Sequence, residues 1–123
     1  MDVVNVAAKF AKFTEHWSPK IVAQVNDLHI KVVKLKGDFV WHKHADTDEL
    51  FLVHKGVLKI GLREAGRERE VRVGAGEIFV VPKGVEHITA ADEECEMLLI
   101  EPAGTPNTGD AGGPRTATNV PWI

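Results

Sequence analysis

Apolar residues along the chain change period once. Over residues 3–13, Val6, Phe10 and Phe13 fall at i, i+4 and i+7, the spacing of one helical face, and Asn5 stands where an N-cap belongs. This spacing predicts a short amphipathic helix packed on the outside of the domain, stopped by Ser18-Pro19. His16 reads as an exposed loop histidine. From Lys20 onward the period is two. Ile21, Ala23 and Val25 alternate with polar neighbours up to the turn Asn26-Asp27. Leu28, Ile30 and Val32 then alternate with His29, Lys31 and Val33, and His29 falls among the outward positions. Further strands are predicted over 38–44, 49–54, 57–63, 68–73, 77–81, 86–91 and 95–101, with turns such as Lys55-Gly56, Ala65-Gly66 and Pro82-Lys83-Gly84 between them. The last of these, CEMLLIE, is apolar on both faces and is expected to be central or covered. After Pro102 the chain turns to Gly, Pro, Thr and Asn, which predicts an extended tail whose Trp122 and Ile123 dock on the domain or on a partner.

Many short strands with Gly/Pro turns and little helix predict an all-β fold, a sandwich or barrel closed around a filled interior. The expected organisation is one domain over 1–123: a helix and lead-in over 1–19, a β-barrel over 20–101, and a tail over 102–123. Composition adds exclusions rather than an identity. With 44% hydrophobic and 27% charged residues and a net charge of −3, nothing favours nucleic acid or an anionic membrane as partner. No uninterrupted apolar run approaches a membrane span. The single cysteine, Cys95, excludes an internal disulfide and reads as a small buried residue in a reducing compartment. The opening MDVVNVAAKFAKF has an acid at position 2 and lysines inside its apolar stretch, the wrong order for a secretory signal, so a cytoplasmic location is expected.

The chemistry concentrates between Gly37 and Gly56. His42 and His44 stand two apart, so on a strand both imidazoles point to the same side, and Glu49 opens the next apolar run within reach of them. Imidazole with carboxylate suits a divalent first-row metal. A second ordered stretch runs from Gly76 to His87. Together the two stretches resemble the cupin superfamily, with its motifs G-x5-HxH-x3,4-E-x6-G and G-x5-PxG-x2-H-x3-N. His42, His44, Glu49 and Gly56 fall at the spacings of the first motif, Gly37 coming four rather than five residues before His42. Gly76, Pro82, Gly84 and His87 match the second, and Ala91 stands where its Asn is usual. The wording FVWHKH…DELF and the tail EPAGTPNTGD also look like stand-alone bacterial cupins described as cupin-domain or mannose-6-phosphate-isomerase-like proteins.

The resemblance implies a jelly-roll (cupin) β-barrel with His42, His44, Glu49 and His87 as ligands of one divalent transition metal: Mn, Fe, Ni, Cu or Zn. It implies an open metal position facing a small-molecule ligand, and it offers dioxygenase, isomerase or cyclase chemistry without choosing among them. A non-catalytic binding or sensor barrel is the alternative, and a purely structural one a third. No catalytic residue is assigned beyond Glu49, the one carboxylate of the set, as candidate base. Asp48 is a lesser candidate ligand, and His54 is expected at the surface. If His42 and His44 face inward, alternation sends Val40 inward too, and Phe51 and Val53 beside Glu49, so these three are expected to line the substrate pocket. That mostly apolar lining argues for a small apolar or planar substrate and against a phosphosugar, which wants converging Arg or Lys. Trp41, Leu50 and Leu52 then face outward, where large apolar residues ask for a second layer, the helix or a homodimer partner.

Overall fold

The longest strand organises the molecule. In the computed structural model, which describes residues 1–123, the elements are α1 (Val6–Phe10), β1 (Lys20–Val25), β2 (Leu28–Asp38), β3 (Glu49–Lys55), β4 (Val57–Glu64), β5 (Arg67–Gly74), β6 (Ile78–Val81) and β7 (Glu86–Pro102). β7 pairs antiparallel with β2 along its length, with β3 through Glu96–Ile100, and with β4 through Glu86–Ala90. β1 extends the sheet beyond β2, β6 beyond β3, and β5 beyond β4. The result is an all-β jelly-roll barrel with one very short helix. The double-sided apolar run CEMLLIE sits in its centre, where a strand has no solvent face to fill with polar residues.

Two expectations about strands are corrected. Residues 86–91 and 95–101 belong to one strand, not two; the exposed acids Asp92–Glu94 lie where the β2–β7 register slips between Leu35 and Gly37. Charged side chains at such a slip stay in water while the strand bends on both sides of it. Residues 39–44 do not form the expected strand. β2 ends at Asp38, and only His42 makes a bridge, exchanging both backbone hydrogen bonds with His87 (2.9 and 2.8 Å). The next backbone groups go elsewhere: Lys43 N–H donates to Asp110 Oδ1 (2.9 Å), and the Lys43 and His44 carbonyls accept from Asp110 (3.2 Å) and Gly84 (2.8 Å). With tail and turn taking these groups, no regular ladder can continue.

Burial divides into two clusters. The barrel interior holds Val33, Leu35, Phe51, Val53, Leu58, Ile60, Leu62, Val73 and Met97 among others. On the outside of the sheet, Phe10, Phe13 and Val22 pack over Val32 and Leu98, with Ile30, Leu52 and Ile123 at the edge. β2 is therefore covered on both faces, and the period-two reading of its polar positions as outward does not hold: Lys31 is buried, 3% exposed. The helix is shorter than 3–13, but Asn5 caps it as expected, its Oδ1 accepting from the Ala8 N–H (2.9 Å).

The tail is a strap rather than a loose end. Ile21 N–H donates to the Pro121 carbonyl and Ile123 N–H to the Ile21 carbonyl (2.8 and 3.1 Å), so Trp122 and Ile123 dock on this same domain, although Trp122 stays half exposed. Farther up, Asn107 pins the loop 107–117 with both ends of its amide, to the Arg115 carbonyl and the Ala117 N–H, and the hydroxyls of Thr108 and Thr116 meet at 2.6 Å.

Candidate metal centre

Three segments bring four side chains to one point. The bridged segment carries His42 and His44, β3 opens on Glu49, and β7 carries His87. All four are buried, and one ligand atom from each lies within 4.8 Å of the others. Glu49 sits between imidazoles: its Oε1 is 3.3 Å from His87 Nε2 and its Oε2 is 3.2 Å from His44 Nε2. Two ligands each ~2.1 Å from one ion and at right angles lie ~3 Å apart, so these contacts have the spacing of neighbouring ligands.

The hydrogen bonds behind the rings decide what the front atoms offer. His42 Nδ1–H donates to the Val40 carbonyl and His87 Nδ1–H to the Val85 carbonyl, both at 2.9 Å. In a neutral imidazole this leaves Nε2 as a lone pair aimed into the site. His87 Nε2 faces Glu49 Oε1, and the contact of the buried His44 Nε2 with Glu49 Oε2 falls short of hydrogen-bond geometry. One proton relieves one such contact; a divalent cation satisfies all four donors together. Burial, with His87 beside it, brings His42 down to about 4, so that ring is neutral at pH 7. Burial alone would raise the Glu49 carboxyl, but contacts with His44, His87 and Glu101 outweigh it and hold Glu49 well below the usual range. The donor set fits a metal ion.

The centre opens on a small cavity with about 30 Å³ of room for the centres of water-sized molecules. Its walls include Trp17, Phe39, His42, Glu49, Phe51, Thr89, Met97, Leu99 and Asn107. Of the expected pocket residues, Phe51 is there. Val53 instead packs in the barrel core, and half-buried Val40 offers its carbonyl to His42 rather than its side chain to the cavity. Phe39 takes the place expected of Val40, because the irregular backbone after Asp38 breaks the alternation that the reading relied on. Phe39 stacks on Trp17, with ring centroids 4.7 Å apart. Asp48 is not part of the centre; its Oδ1 accepts from the Lys83 N–H. His54 is at the surface, stacked on Phe10, and burial pushes the Cys95 thiol up to about 11.

Sequence reasoning missed two buried charges next to this centre. Lys31 Nζ donates to Glu101 Oε1 (2.9 Å), and strand register sets Glu101 opposite Glu49. Burial, then Glu49, pushes Glu101 up to about 9. The signal available was strand register: Leu50 pairs with Ile100 and Phe51 with Leu99, which sets Glu49 opposite Glu101.

Comparison with known proteins agrees with the motifs and the geometry. The family model described as Cupin domain matches residues 30–101. The chain belongs to the cupin family. A crystal structure of a cupin-2 domain containing protein from Shewanella frigidimarina is 49% identical, covering 81% of this chain and 94% of that one, with a TM-score of 0.77. The uncharacterized protein YdbB of Bacillus subtilis is 32% identical over 80 residues, 65% of this cupin and 68% of YdbB. Hydroquinone 1,2-dioxygenase from Sphingomonas sp. TTNP3, solved with 4-hydroxybenzoate bound, shares the fold at 20% identity, covering 84% of this chain and 32% of its own, with a TM-score of 0.74.

Proposed function

We propose that this cupin holds one divalent transition metal, of the set Mn, Fe, Ni, Cu and Zn, through His42, His44, Glu49 and His87, and presents it to a small molecule entering the adjoining cavity. The observation that carries this reading is the convergence of four buried ligand atoms within 4.8 Å of one another, with Nε2 of His44 lacking a hydrogen bond and Nε2 of His87 facing Glu49 Oε1 while its Nδ1 is committed to Val85. A bound metal would supply Lewis-acid or redox chemistry to an oxygen-bearing ligand. The chain's own residues do the rest. Phe51, Met97 and Leu99 exclude water, Thr89 and Asn107 offer the polar contacts that orient a ligand, and Glu49 is the carboxylate placed to accept a proton.

No Lys or Arg lines the cavity, which supports an apolar or planar oxygen ligand over a sugar phosphate. Room for one or two waters is too little for such a ligand, so its entry displaces Trp17, Phe39 or Asn107 at the mouth. Turnover as a dioxygenase or isomerase and non-catalytic binding or sensing share this site. The second is favoured by a lining whose only titratable residues are the proposed ligands His42 and Glu49. Oxygen uptake and substrate loss, measured with iron-, manganese- and nickel-loaded protein against small phenols, enediols and sugar phosphates, separate these readings. Micromolar binding of a sugar phosphate at the metal would sink the substrate class named here.

We further propose a homodimer formed through the outer face of β3 and β6. There Leu50 pairs with Val80 and Leu52 with Ile78, and Ile78 and Val80 remain 59% and 44% exposed. α1 reaches Leu52 but leaves this end of the sheet uncovered. Trp41 needs no partner, since Arg63 stacks over it at 3.7 Å and Gly61 lies beneath. A buried lone cysteine supports a reducing, cytoplasmic setting.

A further inference from the structure

Two ionisable side chains buried beside the proposed centre have no role in it as described. Lys31 is 3% exposed and Glu101 1%, and an ion pair this deep adds little to stability compared with apolar residues of the same size. Their placement is more informative than their pairing. The registers set Glu49 on β3 opposite Glu101 on β7, which faces His29 on β2, and put Lys31, opposite Leu99, on the diagonal of Glu101. Lys31 Nζ takes one oxygen of Glu101 at 2.9 Å. The other, Oε2, is buried with no hydrogen-bond partner, and the register of β3 and β7 sets the residue opposite Glu49.

Glu49 is the first residue of its strand, and its two oxygens face His87 and His44. A side chain at a strand end has freedom to turn unless something holds it, and rotation would withdraw one oxygen from the imidazoles. We propose that Lys31 and Glu101 are positioning residues: Lys31 fixes the plane of the Glu101 carboxyl, and Glu101 braces Glu49 in the orientation that faces His44 and His87. This inference rests on the metal reading above. Hydrogen-bonded partners behind a ligating side chain typically contribute about 10–100-fold in metal affinity.

The test titrates metal-free protein with Co²⁺, read by its visible absorption, and with Mn²⁺, read by electron paramagnetic resonance. In the double variant Lys31→Met/Glu101→Leu both charges leave together, so no orphan remains and the fold is retained. Its affinity is expected to fall by about 10–100-fold with a changed Co²⁺ spectrum. Glu101→Asp, which keeps the carboxyl but withdraws it by one methylene, is expected to weaken binding too, and covers the case in which the double variant does not fold. Glu101→Gln is expected to bind like the wild type, since its amide accepts from Lys31 and donates to Glu49. Wild-type affinity and spectrum in the double variant or in Glu101→Asp would overturn the brace while leaving the metal reading intact. Failure of the wild type to take up either ion would overturn both.

Discussion

Gly109 tests whether the tail is part of the site. Its φ is +52°, and a Cβ added there would run into the Lys43 carbonyl oxygen and come within 3.0 Å of His42 Cδ2. Gly109→Ala therefore carries two costs. The left-handed backbone costs a Cβ-bearing residue about 1–2 kcal/mol, and overpacking against a fixed backbone about 1–3 more. The chain can instead lift the strap, giving up the two hydrogen bonds between Lys43 and Asp110 at about 0.5–1.5 kcal/mol each. Either route destabilises by a few kcal/mol. Gly112→Ala is the matched control: its φ is +60°, yet nothing lies within 4 Å of its added Cβ, so it carries the backbone cost alone. Guanidinium unfolding of metal-free protein is expected to separate the two variants by about 1–3 kcal/mol. At this size that difference moves Tm by about 4 °C per kcal/mol. Hydrogen exchange should quicken at 42–44 and 107–117 in Gly109→Ala alone, and metal affinity should fall with it. Equal destabilisation by both substitutions would show that the strap does not bear on His42.

Stability of the metal-free protein should depend on pH through His42. Its folded value of about 4 lies below the ordinary 6.5, so between these the unfolded chain binds more protons, and stability is full above pH 6.5 and lost as pH falls towards 4. That contribution is about 3 kcal/mol; because Glu101, raised to about 9, shifts stability in the opposite sense over this range, denaturant titrations at pH 4 and 7 should show it as the difference between the wild type and His42→Phe, and an equal pH dependence in the two would contradict it. Leu50→Lys/Val80→Glu should convert a concentration-dependent dimer to monomer in sedimentation velocity and abolish the concentration dependence of Tm, because both side chains lie on the outer face; a wild type that is monomeric at all concentrations would remove the interface. Phe51→Ala, deleting a ring 2% exposed at the cavity wall, should cost about 3–5 kcal/mol in unfolding experiments.

Particular residues show where sequence pattern reached and where it stopped. The four proposed ligands were legible because motif spacing survives local irregularity: His42 and His44 point the same way although their segment is not a strand. The pocket lining was less legible, since Phe39 and Val40 exchange roles once β2 ends at Asp38 and alternation no longer applies. Lys31 and Glu101 were illegible for a different reason. On strands buried on both faces, polarity no longer marks the outward side, so a buried lysine looks like a solvated one. The tail's composition predicted extension but not its contacts, which depend on the backbone of Lys43 rather than on any side-chain pattern.

The central claim is a metal held by four named side chains. Elemental analysis of the purified protein, after equilibration with a divalent transition metal and removal of the excess, tests it most directly. One ion per chain is expected in the wild type, and its loss in a folded His42→Ala variant. Sub-stoichiometric metal in the wild type, or a full complement in His42→Ala, would contradict it.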